Sequence, residues 1–174
     1  ETLVDWGLEL LAGELAAVGA PQVVDLGTGS GAIALAIKHR CAAATVTAVD
    51  ASASALEIAR SNAESLGLEI EAVQGDWWFA VAGRRFDLAL SVEVGEHLPE
   101  LVAARYVADL CRLAPAVLFS AAIPGQKGPG HVNEQWPAYW VAHFERHGYR
   151  VTDGLRPLLW DDPRVDWWYA QNLL

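Results

Sequence analysis

Apolar and polar positions change period several times along the chain, and each change marks an element. Over residues 3–18 apolar side chains recur at helical spacing (Leu3, Trp6, Leu10, Leu11, Leu15, Val18), and Gly19-Ala20-Pro21 stops the run. The short apolar stretch over 22–26 reads as a buried strand that breaks at a glycine-rich turn, after which a helix rich in alanine and isoleucine continues to about residue 40. The β-branched segment over 45–50 reads as a second strand, and Ser52 is placed to cap a helix that runs to residue 66 and stops at Gly67. Strands are predicted over 69–74 and 86–92, with a tryptophan-rich connection between them. A helix over 98–113, a strand over 116–121, a Gly/Pro-rich loop over 123–130 and a helix over about 134–147 follow. Residues 149–155 and 166–174 read as two closing strands.

Strands alternating with helices predict a parallel sheet covered on both faces. The two closing strands have no helix between them and predict an edge hairpin. The expected fold is therefore α/β, Rossmann-like and doubly wound, with a mostly parallel seven-stranded sheet and an antiparallel C-terminal hairpin. Residues 1–174 are expected to form one domain.

Composition narrows the function classes. The chain is 53% hydrophobic and 20% charged, enough apolar material for a two-faced core. No apolar run approaches the roughly 20 residues of a membrane span. The first six residues are acidic and amphipathic with no basic flank, so they do not read as a signal peptide, and a cytoplasmic protein is expected. Net charge is −10 with no basic run. An extended nucleic-acid footprint is thereby disfavoured, because phosphate binding needs a basic patch. A small-molecule or protein acceptor fits better. Cys41 and Cys111 lie in apolar contexts without metal-binding spacing and read as free thiols.

The densest chemistry lies in Asp25-Leu26-Gly27-Thr28-Gly29-Ser30-Gly31. Glycine admits positive φ and lets a ligand approach the backbone, and the following helix offers free N–H groups. Turns that cradle dinucleotide pyrophosphates usually read G-x-G-x-x-G. Here the spacing is G-x-G-x-G, with an acid two residues before the first glycine. That pattern suits S-adenosylmethionine, which has an ammonium group for Asp25 to meet and no pyrophosphate. Asp50, at the tip of the second strand, is placed to accept the ribose hydroxyls. Gly75-Asp76-Trp77, after the third strand, puts a carboxylate and an indole where adenine would lie. Thr28, Ala51 and Ser91 complete the expected cofactor-binding set.

These residues resemble class I methyltransferases across the whole chain. Residues 1–78, including Glu1-Thr2-Leu3-Val4-Asp5-Trp6, the glycine turn and Gln74-Gly75-Asp76-Trp77-Trp78, look like the catalytic domain of peptide-release-factor glutamine methyltransferases. That family carries Asn-Pro-Pro-Tyr after its fourth strand to grip the substrate amide, whereas this chain has Ser91-Val92-Glu93-Val94. From Phe86 onward the chain resembles an uncharacterised branch of small-molecule-type methyltransferases. The segments that carry this are Glu93-Val94-Gly95-Glu96-His97-Leu98-Pro99, Gly130-His131-Val132-Asn133-Glu134-Gln135-Trp136-Pro137 and Trp167-Trp168-Tyr169-Ala170-Gln171-Asn172. Two resemblances in two halves suggest a chimeric, reconstructed or designed sequence.

The resemblance implies methyl transfer to an O or N nucleophile, with Glu93, Glu96, His97 and His131 as the candidate catalytic residues. The E-x-x-E-H run is similar to one that binds a divalent metal in small-RNA 2′-O-methyltransferases and quinone-pathway O-methyltransferases. It makes the same four residues candidate metal ligands. Without a metal, His97 or His131 would serve as general base. Two alternatives stand beside this reading: a binding module for S-adenosylmethionine or S-adenosylhomocysteine without efficient chemistry, and a protein glutamine N-methyltransferase. A nicotinamide oxidoreductase is disfavoured by the glycine spacing and by the lack of a Tyr-x-x-x-Lys pair. The aromatics read mainly as packing: Trp6, Trp167 and Trp168 in the core or hairpin, Trp136, Tyr139 and Trp140 on a buried helix face.

Overall fold

The computed structural model describes residues 19–174; the helix expected over 3–18, with Trp6, lies outside them. Five strands form one parallel sheet: β1 (Gln22–Leu26), β2 (Thr45–Asp50), β3 (Glu71–Gln74), β4 (Leu88–Val92) and β5 (Ala116–Ser120), in the order β3-β2-β1-β4-β5. The order reverses between β1 and β4, so the crevice beyond the carboxyl ends of these strands is where this topology places a ligand. Neighbouring residues of β1 serve opposite layers. Val24 joins a core with Val49, Phe86, Tyr106, Val107, Leu110, Phe119 and Trp140, while Val23 joins Val46, Leu88, Leu90, Leu118, Leu159 and Leu173 on the other face. This two-residue period with both faces apolar is the mark of a strand buried on both sides.

The helices are α1 (Ala32–Arg40), α2 (Ala53–Leu66), α3 (Trp77–Ala80), α4 (Glu100–Leu113), α5 (Pro137–Glu145), α6 (Arg156–Leu159) and α7 (Trp167–Asn172), with a 3₁₀ turn at Gly95–His97. The expected caps of α2 are present. The Ser52 hydroxyl accepts the Ala55 N–H at 3.3 Å, and Gly67 (φ 64°) closes the C-terminus by donating to Glu64 O. α5 begins at Pro137 rather than near residue 134, because proline at the first helical position has no N–H to lose.

The seven-stranded sheet and the closing hairpin are corrected. Among the described residues there are five strands, and neither 149–155 nor 166–174 forms a ladder. Tyr149 and Val151 do pack on the core, which accounts for their alternation, but the Tyr149 hydroxyl donates to Cys111 O and Ala114 O instead of extending a sheet. Trp167, Trp168 and Tyr169 read as strand because aromatics favour pleated surfaces. They instead form α7, whose buried face carries Ala170 and Asn172. Beyond α7 one antiparallel bridge, Ser120 to Leu173, and reciprocal bonds between Phe119 and Leu174 occupy the β5 edge that a sixth strand would need.

Candidate active site

The turn after β1 is tied to β2 from above. Gly27 and Thr28 donate their N–H groups to Val49 O at 2.9 and 3.0 Å, and the Gly29 N–H donates to Asp50 Oδ2 at 2.9 Å. Gly27 and Gly29 have φ of 76° and 55°, the left-handed region glycine occupies without penalty. Their surroundings differ. A Cβ on Gly27 would lie 2.5 Å from Val94 Cγ2, whereas one on Gly29 meets no heavy atom of the described residues within 4 Å. Gly27 thus packs against Val94, and Gly29 is open on that side among the described residues. Gly31 packs beside Ala59 and accepts the Leu35 N–H as α1 begins.

Asp25 is buried, and its Oδ2 accepts the Thr28 hydroxyl at 2.7 Å. Burial pushes its carboxyl up from 3.8 to about 6; hydrogen bonds from Thr28 and the Ala34 backbone offset part of that, and nearby Asp50 adds to it. Asp50 Oδ1 accepts the Ser52 N–H at 2.8 Å. Each Asp50 oxygen therefore serves one backbone donor and keeps a second lone pair for a ligand. Ala51 follows at the same edge, its carbonyl accepting from Gln74. Gly75 donates its N–H to Asp50 O at 3.1 Å, bringing exposed Asp76, the residue that opens α3, to the neighbouring strand end.

Two of the expected cofactor-binding residues, Ser91 and Trp77, pack around Tyr106. Ser91 is fully buried and shares a 2.7 Å hydrogen bond with the Tyr106 hydroxyl. Trp77 stands edge-on to Tyr106 at 4.8 Å between ring centroids, and its buried indole N–H has no acceptor among the described residues.

After β4 the chain turns at Glu93, whose φ of 55° is unusual for a residue with a side chain. The turn is held on every side. Its N–H donates to Ser120 Oγ, Oε1 accepts the Ser120 hydroxyl at 2.7 Å, Gln126 Nε2 reaches Oε2 at 3.3 Å, and Asn172 Nδ2 lies 3.1 Å from both carboxylate oxygens. Ser120 and Gln126 carried no signal in the sequence and Asn172 only as part of a resemblance segment, since they reach Glu93 from β5, the loop after it and α7.

Glu96 has 0% exposure, and among the described residues its carboxylate oxygens make no well-formed hydrogen bond, only weak approaches by the Glu93 carboxyl and the Glu96 and Ala122 backbone. Burial first, and the nearby Glu93 charge second, push its carboxyl up to about 8. Ligand atoms of Glu96, His97 and His131 all lie within 4.8 Å of one another. The two imidazoles meet edge to face at 5.0 Å. His97 Nδ1 lies 3.3 Å from Gly130 O, and His131 Nδ1 lies 3.0 Å from Glu134 Oε1. The Val132 and Asn133 N–H groups both donate to Glu96 O, fastening the His131 loop beneath the turn. Of the three expected catalytic acids and bases besides Glu93, all converge. Glu134, read from sequence as the start of a helix and as part of a resemblance segment but not as a site residue, joins them through His131, and its place three residues after that histidine was the available signal. The aromatic helix divides: Trp140 is 1% exposed against Phe119, as expected, but Trp136 is 59% exposed.

A sequence model of the methyltransferase small domain matches residues 1–92, ending on the last residue of β4. Release factor glutamine methyltransferase of Bordetella pertussis is 46% identical over 92 residues, covering 52% of this chain and 33% of that protein. The same enzyme of Xylella fastidiosa is 48% identical over 92 residues, 52% of this chain and 32% of that protein. The chain spans about a third of the length of these relatives. Among solved structures, coclaurine N-methyltransferase bound to N-methylheliamine and SAH aligns with a TM-score of 0.64 at 17% identity, over 82% of this chain and 48% of that one. A [4+2]-cyclase aligns with a TM-score of 0.66 at 18% identity, over 86% and 59%. Two such different chemistries on one scaffold mean that these likenesses speak to fold alone.

Proposed function

The chain belongs to the methyltransferase small domain family, and from that premise we propose that it transfers a methyl group from S-adenosylmethionine to an oxygen or nitrogen nucleophile. One observation carries the reading: Asp25, Asp50 and the open side of Gly29 lie together on the carboxyl edge at the switch point between β1 and β4. The residues fit the cofactor. Asp25, when ionised, faces the ammonium group; Asp50 has lone pairs left for two ribose hydroxyls; Asp76 accepts from the adenine amino group. S-adenosylmethionine supplies the methyl group on a sulfonium centre, so the chain's task is to align the acceptor, exclude water and remove a proton.

The proton falls to His97 or His131. A carbonyl at Gly130 and a carboxylate at Glu134 can only accept, so each Nδ1 donates and each Nε2 keeps its lone pair. Glu93, saturated by Ser120, Gln126 and Asn172, holds the turn that aims these groups.

A divalent metal held by Glu96, His97 and His131 is a second reading, favoured by the convergence of their ligand atoms and by the buried, poorly satisfied Glu96 carboxylate. When bound, it lowers the pKa of an acceptor hydroxyl. Two imidazoles with one carboxylate suit Mn²⁺, Co²⁺ or Zn²⁺ better than Mg²⁺.

Calorimetry with S-adenosylhomocysteine and with NAD tests the cofactor: binding of the first and not the second is expected, and the reverse overturns the reading. Incubation with methyl-labelled S-adenosylmethionine and an acceptor panel that includes glutamine-bearing peptides tests the transfer. Cofactor binding with no acceptor labelled favours a binding module. Turnover unchanged by a chelator removes the metal.

A further inference from the structure

We propose that Glu134 is the positioning residue of this site, holding His131 as the Nδ1–H tautomer so that its Nε2 lone pair is available to a proton or a metal. The inference rests on the reading that His131 acts through that nitrogen. Glu134 is not one of the three residues whose ligand atoms converge; it acts from behind. Its Oε1 lies 3.0 Å from His131 Nδ1 and also accepts the Lys127 N–H at 2.7 Å, while Oε2 accepts the Gly125 N–H at 2.8 Å. One carboxylate thus ties both the imidazole and the two backbone positions that begin its loop. Lys127 sits at φ 63°, a conformation that costs a non-glycine residue energy and persists where its surroundings impose it; the captured N–H is one such constraint. The other end of the loop is fixed to Glu96 O by Val132 and Asn133.

Two further contacts support the arrangement. The His131 ring lies over Gly128 so closely that any side chain there would collide with it. Gly130, between the two, supplies the carbonyl that gives His97 the same tautomer. A carboxylate behind a histidine is how proteins orient imidazoles that ligate or accept protons.

The test uses the full chain and Glu134→Gln. A glutamine amide can turn its NH₂ toward Nδ1 and permit the opposite tautomer. Long-range ¹H–¹⁵N spectra at pH 8 are expected to show His131 as the Nδ1–H form in the wild type and a mixed or reversed form in E134Q. Co²⁺ titration followed by calorimetry is expected to show affinity in E134Q lower by about 10- to 100-fold. An Nε2–H tautomer in the wild type overturns the proposal, and that spectrum decides the matter even if E134Q does not fold. Unchanged tautomer and unchanged Co²⁺ affinity in E134Q overturn it equally. A tautomer that responds to E134Q in a wild type that ignores Co²⁺ upholds Glu134 and removes the metal.

Discussion

Asp25 shows at the level of one residue how a binding group works against the fold that carries it. Its pKa in the folded chain, about 6, lies above the usual carboxylate value because burial penalises the ionised form. The folded state therefore binds this proton better than the unfolded state does. The stability it confers is full below about pH 4 and is lost as pH rises through about 6, on the order of 2–3 kcal/mol in all. Asp25→Asn keeps an acceptor for the Thr28 hydroxyl. Its melting temperature should exceed that of the wild type by several degrees at pH 8 and match it near pH 4, while its affinity for S-adenosylhomocysteine falls at least tenfold. Melting curves across pH, paired with calorimetry, check both halves. The two glycines separate similarly: Gly27→Ala should lower stability by about 2–3 kcal/mol through strain and collision with Val94. Gly29→Ala should cost only about 1 kcal/mol yet weaken the homocysteine compound as much or more. Equal losses of stability would contradict the assignment of Gly29 to the ligand.

At the scale of elements, α7 is the piece that differs from expectation and the piece that matters to the site. Asn172 is buried and bonds Glu93 and Gln126 from the end of a six-residue helix. Asn172→Ala should therefore cost about 1–3 kcal/mol in denaturant unfolding, the cost of leaving buried acceptors unmet. A neutral result would mean the Glu93 turn holds itself. Why α7 was illegible is physical. Trp167-Trp168-Tyr169 has strand propensity, whereas the helix buries Ala170 in the core layer of Val23 and Leu173 and buries Asn172 beside it. The α2 helix was legible to its caps because Ser52 and Gly67 act locally. The same distinction governs the site. Gly27, Gly29, Asp25 and Asp50 sit on the consecutive elements β1, turn, α1 and β2 and could be read in order. The helix α4 shows in the apolar pattern, but that its Tyr106 meets Ser91 and Trp77 is set by tertiary packing, which no local pattern announces.

For the whole molecule, charge is the property that acts at long range. A net charge of −10 repels polyanions until a basic patch outweighs it. No mobility shift of single- or double-stranded RNA is expected even at about 50 mM salt, although part of the Glu93–His131 pattern resembles that of RNA-modifying enzymes. A shift that fades with added salt would contradict this and move the acceptor class toward nucleic acid.

The sheet's two margins are unlike each other. β3 is short and carries Glu71, paired with Arg84, whereas β5 is apolar along Val117, Leu118 and Phe119. Among the described residues, Leu173 and Leu174 pair with part of β5, through one bridge and two backbone bonds. An apolar strand at the edge of a sheet is a template for another chain to add to. Fraying of those two leucines would thus convert a question of local order into one of self-association. Concentration-dependent light scattering would register it before any loss of helix signal.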